Sequence, residues 1–225
     1  GEIDGCYTDI DDAIANLSNW MAPVEVETTP AFADGKAKMV YEARGVVLLF
    51  GPWNFPFVLV FQPLVPIIAA GNCAMVKPNE MAPNISAVTA KIIRDTFPEN
   101  EIAAFEGDVN LANDLLTLPV DHIFFTGSPA VGKIVMTAAA KHLASVTLEL
   151  GGKNPVVVGR DANLQDAAGK IAVMRNINSG QVCLCPENIY VPEELAEEFI
   201  AIAQGTFQAM FYQDGELNIE VAGKI

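Results

Sequence analysis

The segment HIFFTGSPAVGKIV, residues 122–135, contains in one short stretch the pattern that decides the fold. Its apolar start, His122 to Thr126, indicates a buried β-strand, and the pattern from Pro129 to Lys141 indicates a helix. Ser128 between them is a favourable N-cap, and Pro129 suits the first position of a helix. The segment therefore predicts a strand, a tight turn and a helix whose first N–H groups face outward as a generic anion site.

The same segment matches most of the ATP-binding phosphate loop, G-x-x-x-x-G-K-[ST], through Gly127, Gly132 and Lys133. That loop needs a hydroxyl after the lysine to hold Mg²⁺, and Ile134 stands there instead. An alkyl group cannot bind a hard cation that takes oxygen ligands. A triphosphate loop, a plain strand-to-helix turn and a metal-free contact with a pyrophosphate all stay open, and the last fits these residues best.

Outward from this segment, short apolar runs alternate with helical patterns, which predicts a parallel sheet covered on both faces. We expect an α/β fold, a Rossmann-like open parallel sheet, followed by the start of a second α/β domain after Gly152. The division is then 1–40 as an N-terminal segment of less regular structure, with a connection at Pro30 to Lys38, 41–150 as a dinucleotide-binding domain, and 151–225 as an incomplete catalytic domain. The predicted strands are 46–50, 73–76, 102–105, 122–126, 146–150, 155–158 and 188–191, and the predicted helices are 61–70, 83–97, 111–118, 129–141, 164–176 and 193–210.

The composition describes a globular, acidic chain. Of 225 residues, 51% are hydrophobic and 18% are charged, which is typical of a folded domain. The net charge of −15, without a cluster of lysines and arginines, excludes a nucleic-acid partner, because neutralising phosphates requires such clusters. Residues 55–76 carry no charge, but Pro56, Pro63, Pro66 and Gly71 interrupt them, so we expect a buried helix rather than a membrane span.

The four cysteines are too few for a secreted disulfide scaffold, and no spacing of His and Cys indicates a metal site. No signal peptide is visible at the start, so a cytoplasmic location is the default expectation. The sequence begins without Met and stops within the predicted second domain. We therefore expect an internal portion of a longer protein.

Ligands of open parallel sheets bind at the carboxyl ends of the strands, so the residues that follow predicted strands are the candidates for function. Four motifs lie at or after the ends of predicted strands, namely Gly51-Pro-Trp-Asn-Phe-Pro56, Lys77-Pro-Asn-Glu80, Gly127-Ser-Pro-Ala-Val-Gly132 and Leu148-Glu-Leu-Gly-Gly-Lys153, and a fifth, Asn178-Ser-Gly-Gln-Val-Cys183, follows the predicted helix 164–176. In this order, between about residues 40 and 200, the five motifs resemble the aldehyde dehydrogenase superfamily. The flanking sequence resembles the class 3 branch of that superfamily, which acts on fatty, aromatic and coniferyl-type aldehydes.

The resemblance implies covalent catalysis by three residues. Cys183 is the implied nucleophile, because a thiolate both attacks a carbonyl and leaves afterwards. Asn54 is the implied oxyanion donor, together with the backbone N–H of Cys183. Glu149 matches the base that activates water for hydrolysis of the thioester, and we expect partial desolvation to raise its pKa.

The resemblance also implies a dinucleotide cofactor, a small aldehyde substrate and no metal, with a homodimer for the full-length protein. Lys77 and Glu80 match the pair at the adenosine ribose, where a carboxylate favours NAD, although NADP stays possible. The other implied cofactor-binding residues are Trp53, Gly107, Gly127, Ser128, Val131, Gly132 and Leu150.

Two alternatives to a hydrolytic dehydrogenase are a non-catalytic fragment or pseudoenzyme of the same fold and a relative that passes the thioester to coenzyme A. The presence of Glu149 disfavours the second alternative, because an acylating enzyme does without a hydrolytic base. Cys185 leaves a further choice. It is either inert or able to trap an oxidised Cys183 as a disulfide.

Overall fold

The computed structural model describes residues 1–219, and the main sheet within them contains five parallel strands in the order β5-β4-β3-β6-β7. The strands are β1 (Val24–Val26), β2 (Ala37–Met39), β3 (Val46–Phe50), β4 (Cys73–Lys77), β5 (Ile102–Ala104), β6 (His122–Gly127), β7 (Ser145–Leu150), β8 (Asn154–Val157), β9 (Pro186–Tyr190), β10 (Tyr212–Gln213) and β11 (Glu216–Leu217). The helices are α1 (Glu2–Trp20), α2 (Val58–Ala69), α3 (Pro83–Thr96), α4 (Val109–Leu115), α5 (Pro129–Ala140), α6 (Leu164–Asn176) and α7 (Ala196–Phe211).

Side chains of the central strand β3 alternate between two apolar cores, as the pleat of a strand requires. Val47 and Leu49 pack with residues of α2 and α3 on one face, while Leu48 and Phe50 pack with residues of α5 on the other. Helices therefore cover both faces of a parallel sheet, and the predicted fold class is confirmed.

The chain divides into two compact units, Gly1–Leu150 and Gly151–Ile225, the second of which is described as far as residue 219. The second unit contains β8 paired in parallel with β9, and α6 and α7 enclose a small apolar core around Val158, Ala168 and Phe199. Residues 220–225 of the predicted catalytic domain lie outside the described residues.

The expectation that residues 1–40 are less regular was wrong for their first half, because α1 is a regular helix of 19 residues. Its Glu2 carboxylate accepts hydrogen bonds from the backbone N–H groups of Phe57 and Val58 at 3.0 and 2.9 Å. A carboxylate at the first N–H groups of a helix stabilises it. This contact fixes the start of α2 at Val58, three residues before the predicted start at Phe61.

The predicted helix at 111–118 also begins earlier than expected, at Val109. Asp108 is its N-cap and accepts hydrogen bonds from the backbone N–H groups of Asn110 and Leu111. The uncharged segment 55–76 forms the helix α2 and the strand β4, as predicted. Within residues 1–219, the structure has no helix that is long and apolar enough to cross a membrane.

Candidate active site

The strand order places a crevice beside β3, and open α/β sheets bind their ligands in crevices of this kind. The chain proceeds from β3 outward to β4 and β5 and then returns to add β6 on the other side of β3. The loops that follow β3 and β6 consequently leave the sheet in different directions, and this switch point is where such sheets bind their ligands. The two loops contain the predicted residues Trp53, Asn54, Gly127 and Ser128.

Lys77 ends β4 beside this crevice, and only 3% of the residue is exposed. Its ammonium group donates hydrogen bonds to the carboxylate of Glu80 at 2.5 Å and to the carbonyl of Pro78 at 3.2 Å. Partial burial by itself would raise the pKa of Glu80, but the hydrogen bond from Lys77, a backbone hydrogen bond and the attraction of the ammonium outweigh it, so the pKa is lowered. Glu80 is therefore held ionised, as an acceptor for hydroxyl groups.

The loop after β3 is joined to the loop after β4 by hydrogen bonds in both directions. The N–H of Gly51 donates to the carbonyl of Lys77 at 3.0 Å, and the Asn79 side chain donates to the carbonyl of Gly51 at 3.3 Å. Trp53 in this loop is 44% exposed, and Asn54 is half-buried. Asn79 is a further residue of this site that was not singled out from the sequence, although the Lys-Pro-Asn-Glu motif contains its side-chain amide.

The turn after β6 forms as the opening segment predicts. Ser128 is the N-cap of α5 and its hydroxyl accepts a hydrogen bond from the backbone N–H of Val131 at 3.3 Å, with Pro129 in the first turn. Gly132 is buried, and a Cβ there would lie 3.1 Å from the side chain of Leu150. Gly132 thus allows α5 to pack closely on β7, and any contribution of its own to cofactor binding stays a prediction.

Gly107 lies in the loop after one edge strand of the sheet, β5, and Glu149 lies in the other edge strand, β7. Gly107 is half-buried after the edge strand β5, where it makes room for the side chain of Leu111. Glu149 pairs in register with Thr126 of β6, and its side chain is exposed. The desolvation expected for Glu149 is therefore not provided by residues 1–219.

In the second unit, Cys183 is exposed and Cys185 is buried, at 3% exposure. The segment before Cys183 has an uncommon backbone, because Asn178, Ser179 and Gly180 all have positive φ angles, of 49°, 56° and 79°. Non-glycine residues occupy this left-handed region at an energetic cost, and such strain is concentrated at functional sites.

Cys185 contacts the guanidinium of Arg175, whose Nη1 donates to its Sγ at 3.1 Å. This hydrogen bond is the main cause that raises the pKa of Arg175, with Glu187 contributing next. Neither Arg175 nor Asn154, which contacts the backbone of both cysteines, was singled out from the sequence. Among the residues described, no group of three or more His, Cys, Asp or Glu side chains could hold a metal ion.

The first unit thus brings Trp53, Asn54, Lys77 and Glu80 together at one edge of its sheet with the turn at Gly127. Cys183 belongs to the second unit. The structure does not test the role of any of these residues, and their roles stay predictions.

Comparison with known proteins identifies relatives along nearly the whole chain. The model of the aldehyde dehydrogenase family matches residues 2–221. AldX of Bacillus subtilis is 49% identical over 213 residues, covering 95% of this chain and 48% of AldX. A coniferyl aldehyde dehydrogenase of a Pseudomonas species is 40% identical over 210 residues, covering 93% and 43%. Mouse aldehyde dehydrogenase family 3 member B2 is 40% identical over 224 residues, covering 100% and 47%.

Solved structures agree with these matches. Staphylococcus aureus AldH in a substrate-bound state superposes with a TM-score of 0.92 at 37% identity, covering 98% of this chain and 47% of that chain. A Mycobacterium tuberculosis aldehyde dehydrogenase complexed with NAD+ superposes with a TM-score of 0.82 at 26% identity, covering 92% and 42%. The predicted superfamily and its class 3-like branch are confirmed. The chain spans about half the length of the relatives it matches.

Proposed function

The chain belongs to the aldehyde dehydrogenase family, and from this premise we propose that it is part of an enzyme that oxidises an aldehyde to a carboxylic acid with NAD as cofactor. The observation that carries the proposal is the exposure of Cys183 in the Gly-Gln-Val-Cys motif, whereas the neighbouring Cys185 is buried. An exposed thiol can reach a substrate carbonyl, and a buried thiol cannot. The proposed domains are 41–150 for the dinucleotide and 151–225 for the start of the catalytic domain.

In the covalent step, the Cys183 thiolate attacks the aldehyde carbon and the carbonyl oxygen becomes an oxyanion. The side-chain amide of Asn54 and the backbone N–H of Cys183 donate hydrogen bonds to that oxyanion. Donors that are positioned beforehand stabilise the developing charge, and the loss of one costs about 10²–10³ in rate. Asn54 is half-buried in a loop joined to β4, which limits its motion and supports this role.

The residues at the sheet edge fit a dinucleotide that, when bound, would accept the hydride lost by the former aldehyde carbon. Loss of this hydride converts the tetrahedral adduct on Cys183 into a thioester. Lys77 and Glu80 form a buried ammonium beside an ionised carboxylate, a pair that can hold the two hydroxyls of a ribose. Glu80 would repel a 2′-phosphate, so we propose NAD as the preferred cofactor, although its 43% side-chain exposure would let it turn away for NADP. The turn at Gly127 and Ser128 presents the N-terminus of α5, whose partial positive charge suits the pyrophosphate. The further proposed cofactor contacts are Trp53, Gly107, Val131, Gly132 and Leu150.

The last step releases the acid. Glu149 acts as the general base that removes a proton from water, and the resulting hydroxide hydrolyses the thioester on Cys183. The base makes a free acid the expected product rather than a thioester of coenzyme A. The homodimer of the full-length protein and the cytoplasmic location stay predictions.

The proposal is tested by measuring NADH formation from NAD and coniferaldehyde, or from a long-chain aliphatic aldehyde, with the protein from its native source. Cys183→Ser should abolish NADH formation, and Asn54→Ala should lower kcat by about 10²–10³. Glu149→Gln should retain one turnover of NADH and then stop, because the thioester is no longer hydrolysed. Glu99→Gln, an exposed carboxylate in the turn before β5, is the matched control and should leave turnover unchanged. Turnover by Cys183→Ser at the wild-type rate would refute the proposal.

A further inference from the structure

The backbone that carries Cys183 is held from outside by a side-chain amide. Cys183 and Leu184 are the central residues of a turn closed by the hydrogen bond from the Cys185 N–H to the Val182 carbonyl at 3.0 Å. The side-chain Nδ2 of Asn154, at the start of β8, donates to the carbonyl of Cys183 at 2.7 Å and to the carbonyl of Cys185 at 3.0 Å. One amide therefore fixes the turn on both sides of Leu184 and ties it to the first strand of the second unit.

A second tie holds the end of the same turn. Arg175, in the last turn of α6, donates to the Cys185 thiol at 3.1 Å, to the Pro186 carbonyl at 3.3 Å and to the Glu187 carboxylate at 2.7 Å. Glu187 also accepts a hydrogen bond from Lys153 at 2.7 Å. The thiol of Cys185 is thus directed inward against a guanidinium.

These hydrogen bonds restrict the conformation of the backbone that carries Cys183. The turn follows three residues with positive φ angles, Asn178 to Gly180, and such a segment persists only where its surroundings hold it in place. The direction of the Cys183 N–H, the proposed oxyanion donor, depends on the same turn. A misplacement of about 1 Å at a reacting group can lower a rate about 10²-fold.

We propose that Asn154 is a positioning residue for Cys183 and that Cys185, with Arg175, anchors the same turn instead of serving as a second nucleophile. The inference rests on the proposed function, because positioning matters only if Cys183 attacks the substrate. Asn154 acts through the backbone of the turn, to whose carbonyl groups at Cys183 and Cys185 its side chain donates.

The test uses Asn154→Asp, which keeps the size of the side chain but replaces the donor with a carboxylate facing two carbonyl oxygens. We expect kcat for aldehyde oxidation to fall about 10²-fold, with KM changed less than about threefold. Alkylation of Cys183 by iodoacetamide, measured by peptide mass spectrometry at a pH where the thiol is fully ionised in both proteins, should proceed within about threefold of the wild-type rate, because this reaction needs no oxyanion donor. A general loss of folding would instead change both reactions together.

Asn188→Asp is the matched control, since Asn188 is an exposed amide on the adjacent strand β9 and its side chain donates to the Lys153 carbonyl at 3.5 Å, away from the turn. This variant should retain kcat within about threefold. If Asn154→Asp does not fold, Asn154→Ser, which keeps one donor without a charge, should lower kcat about tenfold at an unchanged alkylation rate.

The role of Cys185 is tested in Cys183→Ser, where the folded protein should show neither alkylation nor acylation at Cys185. Full activity of both Asn154 variants, or acylation of Cys185, would overturn the inference while leaving the proposed function in place. A wild-type protein that forms no NADH and no acyl group on Cys183 would instead refute the proposed function, and the inference with it.

Discussion

Replacing Gly127 by alanine should destabilise the first unit by inserting a methyl group into a filled space. A Cβ at this position would lie 2.4 Å from Cζ of Phe125 and 2.9 and 3.3 Å from its two Cε atoms. Phe125 is only 8% exposed and packs edge to face against Phe50, with 6.3 Å between the ring centroids. The ring cannot move into solvent, and overpacking of this kind costs about 1–3 kcal/mol.

The free energy of unfolding can be followed for this unit alone, because both tryptophans, Trp20 and Trp53, lie within it. Urea unfolding monitored by tryptophan fluorescence should show a lower midpoint for Gly127→Ala at an unchanged slope. Gly5→Ala in α1 is the matched control, since it lies in the same unit and its added Cβ would meet no atom closer than 3.6 Å, an ordinary van der Waals contact. Its free energy of unfolding should be no lower than that of the wild type, because alanine is favoured over glycine inside a helix.

A double-mutant cycle identifies the source of the strain. In the Phe125→Leu background the ring that the new methyl group meets is absent, so the cost of Gly127→Ala should fall below about 0.5 kcal/mol. An equal cost in both backgrounds would refute the packing argument, as would a Gly127→Ala variant as stable as the wild type.

Three further predictions concern buried polar and charged groups. Thr89→Val should raise the free energy of unfolding by about 1 kcal/mol in the same assay, because Thr89 is fully buried and its hydroxyl has no hydrogen-bond partner among the residues described; a loss of stability would contradict this. Burial, with a smaller contribution from Arg44, lowers the pKa of His122 below 6.5. The unfolded chain therefore binds a proton more readily than the folded chain, and the free energy of unfolding should fall as the pH drops through 6.5. His122→Gln should remove this pH dependence from urea midpoints measured between about pH 5.5 and 7.5. Lys77→Met should weaken NAD binding about 10- to 100-fold in calorimetric titrations. Lys133→Met, which alters the lysine of the incomplete phosphate loop, should change the affinity for NAD less than about threefold. A larger loss of affinity in Lys133→Met than in Lys77→Met would favour a triphosphate loop.

The main sheet could be predicted from the sequence because its strands are short apolar runs separated by helical patterns. Val46–Phe50 forms over its predicted length, and β6 and α5 follow the pattern of the opening segment within one residue at each end. Local chemistry is sufficient there, since Ser128 and Pro129 define a helix start without distant partners.

Helix starts that depend on distant or overlooked contacts could not be placed as well. The start of α2 depends on Glu2, which is 55 residues away from Phe57 along the chain. The helix α1 itself was detectable, because Ile3, Cys6, Ile10 and Leu17 recur at helical spacing. The pattern was not recognised because residues 1–40 were considered together, and residues 21–40 have no helical spacing of apolar residues.

In the candidate site, too, some features could be predicted from the sequence and others depend on contacts between distant residues. The roles proposed for Cys183, Glu149 and Asn54 come from the family resemblance, because none of these residues indicates catalysis by itself. The ion pair between Lys77 and Glu80 was not predicted, although the motif that contains both residues was recognised. The inward direction of the Cys185 thiol could not be predicted, because it depends on Arg175 in a different element.

The proposed role of Cys183 as nucleophile can be tested by trapping the acyl group that it should carry. The full-length protein carrying Glu149→Gln would be mixed with NAD and coniferaldehyde, quenched in acid and analysed by peptide mass spectrometry. Cys183 should carry an acyl group in an amount equal to the NADH formed, and the double variant Glu149→Gln, Cys183→Ser should carry none. NADH formation without an acyl group on Cys183, or an acyl group on another residue, would contradict the proposed role.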